Sequence, residues 1–376
     1  MTPPGPLPEA SPGPASVPAD SKATTTARKS DSFAAKLASL PKAELHVHLE
    51  GSIEPASVVA LAARYGQEVS EREVEARYRT PDFVSFLEAY KWVTSFLRQP
   101  QDYALIAGRL AEQLLAEGVV YSEVTISAGV MLLRHQDAAA NFRAIREATE
   151  PYLARGLRLQ WIFDAVRQFG ARPAKDVARV AVELVNEGVV AFGLGGDELS
   201  LPASDFRDVY DFVAARGLRR VAHAGEIGGP QSVRDAVEQL GAERIGHGIG
   251  AALDPNLMAW LAERGIPLEV CPTSNLRTGA LARQLGTAST EDATLRRHPL
   301  PLLLRSGVTI NLSTDDPAMF ETRLTREYET LSEMGLTEGE IVRVAEAGFT
   351  GAFLPHHEKT ALLEAFRRQA DLLDLP

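Results

Sequence analysis

Five short polar clusters contain the residue types that could perform metal-assisted or acid–base chemistry. The clusters are Glu44–Gly51, Gly193–Glu198, Ala222–Glu226, Arg244–Gly248 and Ser313–Pro317. In the first of them, His46 and His48 are two residues apart, so in a β-strand both side chains point to the same face. A lone buried histidine is usually structural, but two imidazoles on one face can bind a single metal ion. The first cluster therefore predicts one part of a metal site.

Later clusters supply further candidate ligands. His223 lies in the third cluster, and Asp315 precedes Asp316 in the last. Adjacent carboxylates repel each other, so folding them together usually requires a cation or hydrogen-bond donors. The resulting N₃O donor set is His46, His48, His223 and Asp315. With an open position for water, such a set suits one catalytic Zn²⁺ ion, and Fe²⁺ or another divalent ion is also compatible. A metal ion held there would lower the pKa of a bound water molecule and make it a nucleophile.

Two residues could manage protons beside the metal. Glu226 lies three residues after His223 and could carry protons without binding the metal. His247 is flanked by glycines and could orient an attacking water or bind a second metal. The glycines of Gly193–Glu198 would let a ligand approach backbone N–H groups, although such a segment alone is more often a simple turn. The other histidines are predicted to be structural or superficial: His135, His298, His356 and His357.

The segments that carry these clusters alternate between short β-type runs and amphipathic helices. The predicted strands are Ala43–His48, Val119–Ile126, Leu157–Val166, Val189–Leu194, Arg219–His223, Arg244–His247, Ile266–Val270 and Val308–Ser313. Strand–helix alternation indicates parallel pairing. Eight such units favour an α/β fold of the (β/α)₈ TIM-barrel type, in which the C-terminal ends of the strands assemble the active site. Each polar cluster falls at such an end.

Two regions are additional to the eight strand–helix units of a plain barrel. A long helical insertion over residues 51–118 follows the first strand and is rich in aromatic residues between positions 83 and 97. It is predicted to be a helical pair that packs into the core or forms a lid over the barrel mouth. The C-terminal stretch is predicted to be helical, with Thr337 and Glu340 as a capping box. Residues 1–32 are rich in Pro, Ala, Ser and Thr and predict a disordered tail, so the barrel domain is expected over residues 33–376.

The composition of the 376-residue chain excludes several classes of protein. Lys and Arg number 39 against 50 Asp and Glu, a net charge of −11, which argues against nucleic-acid binding. No apolar run is long enough to span a membrane. Cys271 is the single cysteine, so neither an intramolecular disulfide nor a cysteine-based zinc site can form, and a cytoplasmic location is predicted. The sequence leaves the oligomeric state open.

Taken in order, the motifs resemble the adenosine deaminase family of the amidohydrolase superfamily. They are LPKAELHVHLEGS, GLGGDE, AHAGE, RIGHG, CPTSN and STDDP, and the resemblance runs from Leu40 to about Leu373. It implies a zinc-dependent hydrolase of small 6-aminopurines, which replaces the 6-amino group by oxygen and releases ammonia. It also implies a single metal ion held by His46, His48, His223 and Asp315.

The same resemblance implies roles for the residues around the metal. Glu226 resembles the acid that protonates purine N1, and His247 resembles the residue that orients and deprotonates the metal-bound water. Asp316 resembles the residue that faces purine N7, and Gly196 resembles the backbone donor to N3. Glu50, together with the metal ligand His48, is expected to contact the substrate.

Two positions depart from the adenosine-specific pattern. Adenosine deaminases commonly have Asp where this chain has Glu50 and Gly193. The substrate therefore stays open between adenosine and 6-aminodeoxyfutalosine, a nucleoside of bacterial menaquinone synthesis with a benzoate-bearing group on its 5′ side. Free adenine is the alternative, because related adenine deaminases also carry Glu at the first position.

Two remote alternatives remain. A binuclear barrel hydrolase usually needs a bridging ligand such as a carboxylated lysine after the fourth strand, where this chain has no lysine. A catalytically silent purine-binding protein could share the fold, since fold does not determine function. Such a protein would be expected to have lost part of the ligand set or the proton-transfer residues, and all of them are present.

Overall fold

The computed structural model describes residues 33–287 and 294–376, so the predicted tail over residues 1–32 lies outside the described residues. Eight parallel strands pair with one another in sequence order. They are β1 (Lys42–His48), β2 (Val119–Ile126), β3 (Arg158–Val166), β4 (Val189–Gly195), β5 (Arg219–Ala224), β6 (Arg244–His247), β7 (Leu268–Val270) and β8 (Ile310–Leu312). This order confirms the predicted (β/α)₈ barrel.

The barrel closes between β1 and the segment that follows β8. Val47 and Asp315 form a parallel bridge. The His48 N–H donates to the Asp315 carbonyl at 2.8 Å, and the Asp315 N–H donates to the His46 carbonyl at 3.0 Å. The Ser313 hydroxyl oxygen accepts from the His46 N–H at 3.1 Å. Closure of the backbone therefore brings the first and last polar clusters of the sequence together.

Helices connect the strands and extend the chain beyond β8. From β1 to β4 they are α1 (Pro55–Arg64), α2 (Glu71–Tyr78), α3 (Phe83–Thr94), α4 (Pro100–Ala116), α5 (Ala128–Leu133), α6 (Ala138–Leu153) and α7 (Ala171–Glu183). The later ones are α8 (Arg207–Ala214), α9 (Pro230–Leu240), α10 (Pro255–Arg264), α11 (Pro272–Arg277), α12 (Ala280–Gln284), α13 (Leu300–Arg305), α14 (Leu324–Glu333), α15 (Glu338–Gly351) and α16 (His356–Leu372). Among the described residues, no helix is both long and apolar enough to cross a membrane.

The structure departs from the sequence prediction in two details. The last two strands begin at Leu268 and Ile310, two residues later than predicted. The insertion after β1 contains four helices rather than a pair. Its extra boundaries follow local start signals, because proline opens α1 and α4 while Ser70 and Asp82 cap the N-termini of α2 and α3. The predicted capping box of Thr337 and Glu340 is confirmed at the start of α15.

A buried chain of charges crosses the barrel core. Arg244, only 1% exposed, begins β6. Its guanidinium pairs with the carboxylate of Glu123 on β2 and with that of Glu269 on β7, and it donates to the Gly351 carbonyl at 2.9 Å. Because an unpaired charge in such an interior is very unfavourable, the three side chains depend on one another.

This mutual dependence predicts a large loss of stability in Arg244→Met. The variant leaves Glu123 and Glu269 buried without their cation, so the free energy of unfolding should fall by about 3–5 kcal/mol. Denaturant unfolding of the metal-free protein measures the loss without a contribution from metal binding. Arg326→Met is the matched control, because it removes an arginine from exposed ion pairs and should cost less than about 1 kcal/mol. Equal losses in the two variants would contradict the dependence.

Candidate metal centre and active site

The four predicted metal ligands converge at the C-terminal end of the barrel. His46 and His48 lie on β1, His223 lies on β5, and Asp315 follows β8. Each offers one ligand atom, and these atoms all lie within 4.8 Å of one another. His48 Nε2 and Asp315 Oδ1 lie 3.2 Å apart. The structure thus brings together residues that are up to 269 positions apart in the sequence.

The hydrogen bonds around this cluster fit a bound cation. His46 Nδ1 lies 2.8 Å from Glu269 Oε2, which keeps the imidazole proton on Nδ1 and the lone pair on Nε2. His46 Nε2 is buried and has no hydrogen-bond partner among the described residues. An unsatisfied buried polar atom costs about 1–3 kcal/mol, and coordination of a metal ion would remove that cost. Ser274 donates to Asp315 Oδ2 at 2.6 Å and orients the fourth ligand.

The backbone is strained at two residues of the site. His247 has a φ of 62° and Asp315 a φ of 68°, in the left-handed region that residues other than glycine seldom adopt. Such conformations cost about 1–3 kcal/mol each and persist only where the surroundings impose them. Here the ladder between β5 and β6 and the closure hydrogen bonds of Asp315 impose them. This backbone conformation directs the side chains of His247 and Asp315 into the barrel mouth.

Glu226 and His247 face each other beside the metal cluster. Glu226 Oε2 lies 3.6 Å from His247 Nε2, and Thr278 donates to Glu226 Oε1 at 3.4 Å. Burial, reinforced by neighbouring carboxylates, raises the pKa of Glu226 well above its usual value, which favours the protonated form. Burial lowers the pKa of His247 to about 3, which keeps this imidazole neutral. The pair can therefore offer a proton donor and an uncharged imidazole to one ligand.

The loop that carries Glu226 is fixed by the last residue of the GLGGDE motif. The carboxylate of Glu198 accepts from the N–H groups of Ile227 and Gly228 at 2.8 Å each. It also accepts from the Gly225 N–H and from the Ser232 hydroxyl. The second sequence cluster therefore supports the third one structurally, in addition to placing Gly196 in the cavity wall.

A cavity of about 520 Å³ opens above the cluster, a volume typical of small-molecule sites. Ionisable side chains line its inner end, namely His48, His223, Glu226, His247, Asp315 and Asp316. Apolar and aromatic side chains of α3 and α5 line its outer end, among them Phe83, Phe86, Leu87, Tyr90, Val130 and Leu133. The insertion after β1 therefore covers the barrel mouth through α3, while its residues Phe96 and Leu97 are buried in the core. Both interpretations of the aromatic segment apply, each to a different part of it.

Asp316 presents an unpaired polar atom at the inner end of this cavity. Its Oδ1 is buried and has no hydrogen-bond partner within the described residues. A side chain at Gly51 would place its Cβ 1.7 Å from that atom, so the HLEGS motif needs glycine there. Burial and the adjacent Asp315 raise the pKa of Asp316 well above its usual value. The group is therefore suited to hydrogen bonding with a ligand.

Glu50 differs from the other predicted substrate contacts because it is not among the residues that line the cavity. It is 2% exposed, and its carboxylate accepts from the Ser127 N–H at 3.1 Å and from the Tyr90 hydroxyl at 3.3 Å. Burial raises the pKa of Glu50 to about 7. Since Tyr90 and Ser127 do line the cavity, Glu50 supports the wall from behind.

Sequence reasoning missed Asp164, which lies on β3 and lines the cavity. A Cβ at Gly193 would come within 2.5 Å of Asp164 Oδ1. The space left by the absent side chain at Gly193 is thus taken by a carboxylate from the neighbouring strand. A single acidic residue inside the apolar run WIFDAV was the signal that could have revealed it.

Sequence reasoning also missed two residues behind His247. Asn275 Nδ2 lies 3.0 Å from His247 Nδ1, and Asn275 Oδ1 lies 3.3 Å from His298 Nε2. His298, expected to be structural or superficial, is thus a buried second neighbour of the site. The CPTSN motif was the signal for Asn275, whereas no local pattern distinguishes His298 from the remaining histidines.

Comparisons with known proteins identify the family of the chain. The adenosine deaminase family model matches residues 41–369. An aminodeoxyfutalosine deaminase of Streptomyces coelicolor is 40% identical over 325 residues, which are 85% of this chain and 81% of the relative. An adenine deaminase of Chelativorans is 34% identical over 330 residues, which are 86% of this chain and 97% of that protein.

Solved structures give the same result. The crystal structure of an adenine deaminase from Arthrobacter aurescens has a TM-score of 0.80 at 28% identity and covers 89% of this chain and 100% of its own. A zinc-bound amidohydrolase from Burkholderia ambifaria has a TM-score of 0.82 at 26% identity and covers 91% of this chain and 95% of its own. The predicted fold and reaction class are thereby confirmed. The chain belongs to the adenosine deaminase family and is a hydrolase that acts on carbon–nitrogen bonds of cyclic amidines.

Proposed function

We propose that this protein is a zinc-dependent deaminase of the 6-amino group of an adenine nucleoside, with aminodeoxyfutalosine as its preferred substrate. The observation that carries the proposal is the buried cluster of three histidines and one aspartate, which opens beside Glu226 and His247 into a partly apolar cavity. The donor set suits Zn²⁺, and the similar amidohydrolase from Burkholderia ambifaria contains bound Zn.

The residues around the cluster can divide the chemistry between them. A divalent ion bound by His46, His48, His223 and Asp315 would supply a water molecule of lowered pKa. Glu226, whose raised pKa favours the protonated form, donates its proton to purine N1 and so makes C6 electrophilic. The resulting carboxylate can carry one proton of the attacking water to the amino group, which leaves as ammonia. It recovers its own proton from the C6 hydroxyl as the 6-oxo group forms. His247 can contact the same attacking water, because its Nε2 lies 3.6 Å from Glu226 Oε2.

The purine itself is held by groups in the cavity wall. The side chain of Asp316, whose Oδ1 lacks a partner among the described residues, faces purine N7. The Gly196 backbone N–H donates to N3. These contacts place the 6-amino group at the metal end, so the remainder of the nucleoside must extend toward α3.

The outer half of the cavity favours a nucleoside with a large 5′ substituent. Its apolar lining suits an aromatic group, and Lys91 and Arg134 lie among the lining residues near the mouth. The benzoate of aminodeoxyfutalosine provides both an aromatic ring and a carboxylate for such cations. The relatives named for this activity in Streptomyces coelicolor and Streptomyces avermitilis, 40% and 39% identical, support the same substrate.

Free adenine is the second candidate. It is favoured by the 34% identity to the Chelativorans adenine deaminase and by the similarity to the Arthrobacter structure. A free base would leave the apolar outer half of the cavity filled only by water. A cytoplasmic location remains a prediction based on the single cysteine of the sequence, Cys271.

Parallel assays of zinc-loaded protein with three substrates test the proposed function. The loss of a 6-aminopurine chromophore reports turnover of aminodeoxyfutalosine, adenosine and adenine. Among the three substrates, we expect aminodeoxyfutalosine to have the highest kcat/KM. Glu226→Gln protein purified in the same way controls for contaminating deaminases. A preference for adenine would favour the second candidate, and no turnover of any 6-aminopurine would overturn the proposal.

Two substitutions separate the metal ligands from the proton donor. His223→Ala removes a ligand, so metal analysis should find clearly less than one zinc per chain. Glu226→Gln keeps the shape of the site but cannot protonate N1, so kcat should fall about 100- to 10,000-fold with zinc content unchanged. Full zinc occupancy in His223→Ala, or near-normal turnover in Glu226→Gln, would refute these assignments.

The substrate preference predicts a selective effect of Arg134→Gln. Loss of a charge-assisted hydrogen bond to the benzoate should lower kcat/KM for aminodeoxyfutalosine about tenfold or more. Activity with adenosine, which has no carboxylate, reports any general damage, because Arg134 also donates to backbone carbonyls at the end of α3. Lys91→Gln is the matched control and should have a smaller effect, since Lys91 is 74% exposed. An equal loss for both substrates in Arg134→Gln would contradict the benzoate contact.

A further inference from the structure

A buried histidine outside the metal cluster has a defined proton position. His298 is 3% exposed, and its Nδ1 lies 3.1 Å from the backbone nitrogen of Leu300. A backbone N–H can only donate, so Nδ1 must be the acceptor. Burial lowers the pKa of His298 to about 3, which keeps the ring neutral. Its single proton therefore lies on Nε2.

This proton position determines the orientation of Asn275. The Nε2–H of His298 needs an acceptor, and Asn275 Oδ1 lies 3.3 Å away. With its oxygen turned toward His298, the amide directs its NH₂ group at His247, where Nδ2 lies 3.0 Å from Nδ1. The amide nitrogen can only donate, so His247 Nδ1 accepts.

Because Nδ1 of His247 accepts this hydrogen bond, the ring must carry its proton on Nε2, the atom that faces the site. The groups on that side are consistent with a donor, because Glu226 Oε2 lies at 3.6 Å and Asp315 Oδ2 at 3.9 Å. Asn275 is fully buried and His247 is 1% exposed, so bulk water does not compete for these contacts.

We propose that Asn275 and His298 are positioning residues that hold His247 as the Nε2–H tautomer, so that His247 enters the site as a hydrogen-bond donor. In this state the lone pair of His247 lies on Nδ1, where Asn275 engages it. The resting imidazole therefore orients the attacking oxygen rather than removing its proton. The resemblance to the family implied proton removal as well, and the hydrogen-bond direction argues against that part of the role.

Asn275→Asp tests the direction of the hydrogen bonds from His298 through Asn275 to His247, with almost no change in side-chain size. A carboxylate cannot donate, so it should accept from both neighbouring rings and draw the His247 proton to Nδ1. Nitrogen-15 NMR of the zinc-loaded, histidine-labelled protein reports the tautomer directly, and comparison with His247→Gln identifies the signals of that residue. We expect the Nε2–H form in the parent protein and the Nδ1–H form in Asn275→Asp. The expected kinetic effect is a fall in kcat of about 10- to 100-fold with little change in KM.

A pair of variants at His298 provides the control. In His298→Gln, the amide oxygen can accept from the Leu300 N–H and the amide nitrogen can donate to Asn275, so tautomer and kcat should remain near those of the parent. His298→Leu removes both contacts, so it should populate the second tautomer and lower kcat. This pair keeps the test decisive if Asn275→Asp does not fold.

Three results would overturn the proposal: the Nδ1–H form in the parent protein, an unchanged tautomer with parental kcat in Asn275→Asp, or equal behaviour of the two His298 variants. The kinetic arm rests on the proposed deaminase function. The NMR measurement does not depend on it, so a wrong tautomer assignment for His247 is distinguishable from a failure of that function.

Discussion

The site depends on the closure of the barrel between β1 and the segment after β8. Two backbone hydrogen bonds there place His46 and His48 against Asp315, and the left-handed backbone of Asp315 turns its carboxylate inward. The remaining ligand, His223, comes from β5, which lies four strands from β1 in the sheet order. A metal ion held by these groups would therefore link opposite sides of the barrel, and the ligand geometry exists only when the whole barrel is closed.

Two buried polar chains end on histidines of this site. In one, Arg244 pairs with Glu123 and Glu269, and Glu269 in turn contacts His46 Nδ1. These buried ion pairs therefore also orient one of the predicted metal ligands. In the other, the contacts of His298 and Asn275 end on His247 Nδ1. Buried ion pairs are seldom the most stabilising way to fill a core. The ion pairs of Arg244 also fix the orientation of His46 through Glu269, so their position behind the site gives them a role beyond filling the core.

Period-two spacing, strand–helix alternation and the position of each cluster after a strand were sufficient to predict the barrel and the four converging ligands. These sequence patterns are local, and the barrel brings the residues at the ends of its strands close together. Asp164 had only one weak signal, a lone acidic residue in the apolar strand β3. His298 had no local signal, because packing between distant segments brings it to the site. The substrate contact expected of Glu50 remains a prediction. In the structure its carboxylate accepts hydrogen bonds from Ser127 and Tyr90, which the motif did not indicate.

The central claim is that one divalent ion, held by the three histidines and Asp315, makes this site a deaminase. Titration of the metal-free protein with zinc, with turnover of a 6-aminopurine measured at each step, tests it most directly. We expect activity to rise linearly and to reach its maximum at one equivalent of zinc per chain. Activity that requires a second equivalent, or that is already complete in the metal-free protein, would contradict it.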